Sequence, residues 1–469
     1  MKWKYNFYFE KIGEKYFISN DSGEWLLLNE MEFKKISQNK ISYSRIEELK
    51  DKNFMVNEMD FYRYSKKISS LRKYIYNSPS LHIIVLTLRC NHFCRYCRAV
   101  GYRQDKDSDM SVATLKKSVD FIFKTPNKNI TIEFQGGESL LNLEVLKKGI
   151  EYIKKLEKKR DKDIEISVVT NLSIMNDEIL NFLFKNEVSI CTSLDGPEFI
   201  HNNNRLFHPL SSHKIAVYWL KKIMDKVKSG YDGGKDFLPS ALMTTTRLSL
   251  SYYKEIVNEY RRLKLGGIFL RPLSPIGHAK EVWNEIGYGP KEFLEFYENA
   301  LNYIIELNLK GEIFIERNAA IKLKKILFSK DPNYLDLRSP CGAVMGQLAY
   351  NYDGSIYTCD EGRMVGAEGD NLFKVGDVYK SSYKDIINSP ASRLCAMCSN
   401  LENQFQCFKC AFKPYCGVCP VHNYETASTP WGDAGFGGWC DIEKGIFKIL
   451  IRKLQNRKYR KIFERWFDA

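Results

Sequence analysis

The sequence lacks any continuous apolar stretch approaching the roughly 18 to 20 residues that a membrane helix needs. Met1 to Leu26 also lacks an apolar segment of the kind found in secretory signals, so a cytoplasmic protein without membrane attachment is expected. Internal repeats and low-complexity tracts are missing, which leaves ordinary globular domains. A disulfide framework is excluded by the same reasoning: thirteen cysteines, an odd number spread over 469 residues in a reducing compartment, point to metal ligation instead. What the chain does contain is enough apolar content, 44%, to bury sizeable cores. Its net charge of +14 is dispersed, with Lys and Arg interleaved with Asp and Glu as in "KKGIEYIKKLEKKRDKDIE". That pattern describes a solvated face compatible with an acidic peptide rather than a nucleic-acid footprint.

Three parts follow one another. Residues 1–79 show alternating "YNFYF" and "EKYFIS", the turn "NDSG", "EWLLL", and helical patterns near Glu30 to Ile36 and Tyr43 to Asp51, which predict a small β-hairpin with helices. From Leu81 to about Gly277, six strand-like segments alternate with helical ones: "LHIIVLTL", "ITIEF", "IEISVV", "VSICTSL", "FLPSALMTT" and "GGIFLRPL". Such alternation predicts βαβ units and an α/β parallel sheet, with chemistry at the carboxyl ends of the strands. Beyond a helical bridge near Pro290 to Phe328, nine cysteines fall between Cys341 and Cys440. The terminal "ILIRKLQNRKYRKIFERWF" has helix-spaced apolar residues and packs one face on the body.

"LRCNHFCRYCRAV" gathers Cys90, Cys94 and Cys97 directly after the first strand. A four-iron cluster takes four thiolates, and this spacing supplies three, leaving one iron open. Zinc would need a fourth Cys or His, and His92 lies too close in sequence to serve comfortably. Cys191, inside "VSICTSL", reads as a buried strand residue.

The three-cysteine motif with Tyr96 before its last Cys resembles the signature of the radical S-adenosylmethionine (SAM) superfamily. The similarity extends to "FQGGES" with Gly136, Gly137 and Glu138, "VVTNLS" with Thr170 and Asn171, "SLDGPEFIHNNNR" with Ser193, Asp195 and Arg205, and "FLRPLSPIG" with Leu273. All follow strand-like segments and converge on one rim. The resemblance implies a partial (β/α)6 radical SAM barrel in which the open iron of a [4Fe-4S] cluster chelates SAM. One electron then yields a 5'-deoxyadenosyl radical that abstracts a substrate hydrogen. The glycine-rich segment would meet the SAM amino group, the Thr170 and Ser193 segments its ribose and carboxylate, and Leu273 the adenine.

The tail resembles the SPASM extension, which binds two auxiliary [4Fe-4S] clusters in peptide-modifying members. Cys341, twelve residues, Gly354, four residues and Cys359 precede "CFKCAFKPYCGVC" and Cys440. On the family's interleaved pattern, Cys341, Cys359 and Cys419 serve the nearer cluster, and Cys407, Cys410, Cys416 and Cys440 the farther one. Only two residues separate Cys416 from Cys419, where the family usually has three, and Cys395 or Cys398 could supply the nearer cluster's fourth ligand. Zinc remains an alternative for these C-x2-C pairs.

Within the family the chain looks most like the maturases of His-Xaa-Ser peptide systems. The implied domains are a peptide-recognition, winged-helix-like α+β unit (1–79), the radical SAM barrel (80–285), a helical bridge (286–335), the SPASM domain (336–445) and a basic helix (446–469). A structural cap is the other reading of the first unit. The implied partners are a precursor peptide and a reducing protein such as flavodoxin or ferredoxin. The expected reaction is oxidative crosslinking of a ribosomally made peptide. Formylglycine formation of the anaerobic sulfatase-maturase type and a non-catalytic iron-sulfur electron carrier are the alternatives, the SAM-like segments speaking against the carrier. No catalytic acid or base is identifiable; Asp353, Asp360, Glu361 and Arg363, near the predicted hairpin, are candidates to face substrate.

Overall fold

The strand Leu81–Thr87 is apolar without alternation and buried on nearly every position, as a strand covered on both faces must be. In the computed structural model, which describes residues 4–38, 40, 43–57, 60–97, 105–229, 238–432 and 438–467, it lies inside an eight-stranded sheet. On one side follow the parallel strands Asn129–Gly136, Asp163–Val169, Val188–Ser193 and Ser240–Leu242, each beside its predecessor. The helices Val112–Ile122, Leu143–Glu157, Asp177–Lys185 and Ser212–Lys228 fall between them in sequence. Ser111, Asn176 and Ser211 cap three of these by accepting a backbone N–H at the first turn. Ile132, Phe134, Ile166, Val168 and Ile190 alternate along the strands and meet Leu115, Leu146, Ile150, Leu180 and Ile223 of the helices in one core.

Two departures from the sequence expectation concern this sheet. The sixth segment is short: Gly267–Ile268 pairs in parallel with Ile315–Glu316 outside the main sheet, so the barrel is open there. A backbone bond from Thr245 N to the Arg271 oxygen at 3.0 Å still ties this segment to the one after the fifth strand. On the other side, Gln347–Tyr350 adds in parallel to Leu81–Thr87 and continues antiparallel into Ser355–Tyr357 and Lys374–Asp377. The cysteine-rich tail therefore extends the sheet rather than standing apart. The terminal helix also differs: it runs Gly438–Leu454, across the expected boundary at 446, because buried Ile442, Ile446, Phe447, Ile449, Leu450 and Leu454 keep helical spacing through it. A second helix, Arg457–Arg465, follows.

The N-terminal unit is the three-stranded antiparallel sheet Tyr8–Ile12, Lys15–Ser19 and Trp25–Leu28, with the helices Glu30–Ser37 and Tyr43–Asp51. Asn29 and Glu32 form a reciprocal capping box on the first helix. The unit docks on the tail through Phe17 stacked on Phe412 at 5.8 Å and through the Trp25 indole N–H donating to the Ile326 oxygen at 2.8 Å. Lys413, almost fully buried, bonds Asp21 at 2.9 Å and Glu402 at 2.8 Å, and donates to the Tyr8 hydroxyl at 2.8 Å. Removing the cation leaves two partly covered carboxylates facing each other. Lys413→Met is therefore expected to lower stability by about 1–3 kcal/mol, allowing for partial solvent screening. Thermal unfolding checks this; an unchanged midpoint would contradict it.

Candidate functional site

Every segment flagged by the motifs lies at the carboxyl end of a parallel strand, and together they surround a cavity of about 900 Å³. Cys90, Cys94, Cys97 and Tyr96 line it, as do Gly136, Gly137, Thr170, Asn171, Ser193, Arg205 and Leu273. The cysteine loop is fixed at both ends. At its start, Arg89 makes a two-pronged bond to Asp109 at 2.8 and 2.6 Å. Further on, Phe93–Cys94 pairs antiparallel with Arg205–Leu206, and Asn91 bridges Ser173 and Asn171 at 2.7 and 2.9 Å.

The two glycines act first on backbone packing. A Cβ at Gly136, whose φ is +143°, would sit 2.2 Å from the Thr87 oxygen, and one at Gly137 would sit 2.1 Å from the Arg89 oxygen. Only glycine allows the approach in which Gly137 N–H donates to the Thr87 oxygen at 2.9 Å and Glu138 N–H to the Arg89 oxygen at 2.7 Å. Glu138 is fully buried. Its carboxylate accepts from the Thr170 hydroxyl (2.7 Å), Asn171 N–H (2.7 Å) and Leu140 N–H (3.0 Å), so it clamps the second strand's loop to the third's. Burial raises its pKa and these bonds oppose the rise.

Asp195 is the corresponding clamp for the fourth strand. Fully buried, it accepts from the Tyr96 hydroxyl, from Arg205 Nε at 3.1 Å and from Thr244 N–H at 3.0 Å. Burial alone would raise its pKa, but Arg205, His201, Tyr96 and Thr244 hold it below the usual carboxylate range. The Arg205 guanidinium lies 5.1 Å over the Tyr96 ring and 3.9 Å from the Cys94 sulfur, so one cation serves the carboxylate, the ring and the thiol. Burial pushes the Cys90 thiol up to about 12, and that of Cys94 higher still. Three soft donors on one wall of a large cavity suit an iron-sulfur group that leaves a position facing inward.

Further lining residues come from positions to which the motifs gave no role. Asp360 and Glu361, named from the sequence, line the cavity, with Asp360 paired to buried Arg363 at 2.9 Å. Asp353 does not face it: its carboxylate closes the turn by accepting from Ser355 N–H and Oγ, both at 3.0 Å. Cys191 is only partly buried and lines the cavity, which corrects its reading as a buried strand residue; its side chain is on the sheet face that the helices do not cover. Glu133, Gln135, Arg271, Arg317, Tyr334, Asp336 and Gln347 also line it and went unrecognised. The signal for Glu133 was present in "ITIEFQ": Ile130, Ile132 and Phe134 are buried toward the helices, so Thr131, Glu133 and Gln135 take the other face. Burial, then the charge of Asp360, pushes Glu133 up to about 7, against a hydrogen bond from Ser167.

In the tail, Cys341, Cys359 and Cys419 meet in one small apolar cluster. Cys407, Cys410, Cys416 and Cys440 line a separate cavity of about 310 Å³, which Cys419 also borders.

The comparisons accord with this layout. Residues 84–248 match the model of the Radical SAM superfamily, and that stretch is a Radical SAM domain. A cysteine-type anaerobic sulfatase-maturating enzyme of Clostridium novyi is 24% identical over 386 residues, 80% of this chain and 96% of the relative. The radical SAM cyclopropyl synthase TigE of Paramaledivibacter caminithermalis is 26% identical over 445 residues, 88% of this chain and 82% of the relative. Among solved structures, anSMEcpe with bound AdoMet and Kp18Cys peptide superposes with a TM-score of 0.64 at 19% identity, covering 81% of this chain and 100% of that one. Streptococcus suis SuiB bound to precursor peptide SuiA gives 0.54 at 14% identity, covering 91% and 97%. The chain has the radical SAM fold of these structures.

Two expectations follow from the geometry. Gly137→Ala must displace the backbone before Cys90, at about 1–3 kcal/mol, with reduced iron incorporation after anaerobic reconstitution; parent-like stability and iron content would contradict the close approach. Glu133 carries a raised pKa, so its folded form holds a proton that the unfolded chain releases above the ordinary glutamate value of 4.5. It therefore costs stability increasingly from about pH 4.5 to 7. Relative to the parent, Glu133→Gln should gain thermal stability between pH 5 and pH 8, and an equal offset at both would refute this.

Proposed function

We propose that this chain is a radical SAM enzyme that oxidatively modifies a ribosomally made peptide. The observation that carries the reading is the 900 Å³ cavity, walled on one side by Cys90, Cys94 and Cys97 and on the other by carboxylates and arginines leading into the cysteine-rich tail. When bound there, a [4Fe-4S] cluster with SAM supplies the 5'-deoxyadenosyl radical for hydrogen abstraction. Cys90, Cys94 and Cys97 would hold that cluster. Gly136, Gly137, Asn171 and Ser193 offer polar groups to the SAM amino acid and ribose, and Leu273 an apolar surface to its adenine. Glu138 and Asp195 position these segments from behind. On the substrate side, Glu133, Asp360 and Glu361 can receive a proton, while Arg271, set among Tyr334, Glu361, Asp336 and Asp360, orients them. The tail would hold two auxiliary clusters that accept the electron left after radical attack, and a flavodoxin- or ferredoxin-like protein would deliver the electron for SAM cleavage.

The N-terminal unit supports a peptide substrate. Trp25–Leu28 is an edge strand of its sheet, and Trp25, Leu26 and Leu27 line a groove of about 590 Å³ together with Lys67, Ser70 and Leu71 of the helix Asp60–Leu71. An extended peptide leader fits such a place by adding a strand beside the groove, where Lys52 and Lys67 pair with Glu24. SuiB, whose likeness spans 91% of this chain, was solved with a precursor peptide.

Formylglycine formation is the second reading. The Clostridium novyi relative is named as a sulfatase-maturating enzyme, and Asp360, next to Cys359, lines the cavity where a Ser or Cys substrate would be oxidised. Anaerobic co-expression with a small peptide encoded beside this chain separates the two. A crosslinked peptide without a free aldehyde supports the first reading, a hydrazide-trappable aldehyde the second, and an unmodified peptide contradicts both for that pairing. Replacing Cys90, Cys94 and Cys97 by Ala should abolish release of 5'-deoxyadenosine, and retained release would overturn the assignment.

A further inference from the structure

Seven of the nine cysteines in the tail fit the interleaved pattern, and Cys395 and Cys398 remain, both on the helix Pro390–Cys398. One helical turn apart, they have different surroundings. Cys395 belongs to the apolar cluster of Cys341, Ala343, Cys359, Val365, Phe373 and Val421, against which Cys419 also packs. Cys398 is buried outside that cluster, its sulfur turned back to within 3.8 Å of the Cys395 carbonyl oxygen.

Ser399 fixes the difference. Its hydroxyl donates to the Cys395 carbonyl at 2.5 Å and accepts from Cys341 N–H at 2.9 Å, so the helix end carrying Cys395 is laced to the loop carrying Cys341. Two of the neighbouring thiols are also held in place by helix starts. Cys359 caps the helix Asp360–Ala367, its sulfur accepting from Gly362 N–H at 3.3 Å; Cys419 caps Pro420–Ala427, its sulfur accepting from His422 N–H at 3.4 Å.

We propose that Cys395 is the fourth protein ligand of the nearer auxiliary cluster, with Cys341, Cys359 and Cys419, so that this site has no iron open to a substrate side chain. Cys398 is a packing residue. The proposal rests on the reading that the tail holds two [4Fe-4S] clusters. Four thiols from four segments meet in one apolar cluster. Four cysteine thiolates are the ligand set of a [4Fe-4S] cluster. A closed site gives the nearer cluster an electron-accepting role and leaves substrate binding to the cavity residues.

The test uses the full chain with Cys90, Cys94 and Cys97 changed to Ala, reconstituted anaerobically, so that only the tail sites report. This parent should bind roughly eight iron atoms per chain, as two [4Fe-4S] clusters require, whereas a parent that binds none, or binds zinc instead, overturns the two-cluster reading and the proposal with it. Adding Cys395→Ala should alter the electron paramagnetic resonance signal of one reduced cluster and leave iron at or below the parent's. Cys395→Ser, which keeps an oxygen donor in place, should retain iron and shift that same signal. Cys398→Ala should reproduce the parent. With the parent's two clusters established, unchanged signals in both Cys395 variants, or a change in Cys398→Ala alone, would overturn the assignment of Cys395.

Discussion

The site depends on one close approach, in which the backbone of Gly136 and Gly137 lies against the carbonyls of Thr87 and Arg89. That contact sets the end of the second strand against the start of the cysteine loop. Two buried carboxylates extend it around the rim: Glu138 reaches the third strand's Thr170 and Asn171, and Asp195 joins the fourth strand to Tyr96 and Arg205. Each is costly to bury alone and is compensated by several donors. The segments facing the cavity are thus positioned by a layer of partners behind them.

The same economy links the cavity to the tail. Because Gln347–Tyr350 pairs directly with Leu81–Thr87, the strand that carries the first three cysteines is hydrogen-bonded to the hairpin that leads to Cys359. Asp360 and Glu361 follow Cys359 immediately and reach the cavity, so the substrate wall and the nearer thiol group are parts of one short segment. A rigid connection of this kind holds distance constant between a place where a radical would act on a peptide and a place where an electron would be received.

Much of this was legible in the sequence because the strands and helices carry clean periodicities and the thiols stand at strand ends. Less legible were features decided by three-dimensional pairing. "GGIFLRPL" has the composition of a strand, yet Gly267–Ile268 is the only part that pairs, and its partner is Ile315–Glu316. Glu138 sits in a motif associated with the cofactor, but its carboxylate is consumed by the neighbouring loop. Glu133 and Arg271 carry no motif; strand alternation places Glu133 on the inner face, while Arg271 is brought there by the segment after the sixth strand. Cys395 could not be told from Cys398 by spacing alone, since i and i+3 share a helix face and it is the packing of Cys395 against Cys341 and Cys359 that separates them.

The central claim is that the vacancy left by Cys90, Cys94 and Cys97 is where SAM binds. The most direct measurement is the electron paramagnetic resonance spectrum of the reduced, fully reconstituted chain with and without SAM, set beside that of the form lacking these three cysteines. The account predicts that SAM shifts one signal, absent from the three-cysteine variant, and leaves the auxiliary signals in place. A spectrum indifferent to SAM, or a shift that persists without Cys90, Cys94 and Cys97, would contradict it.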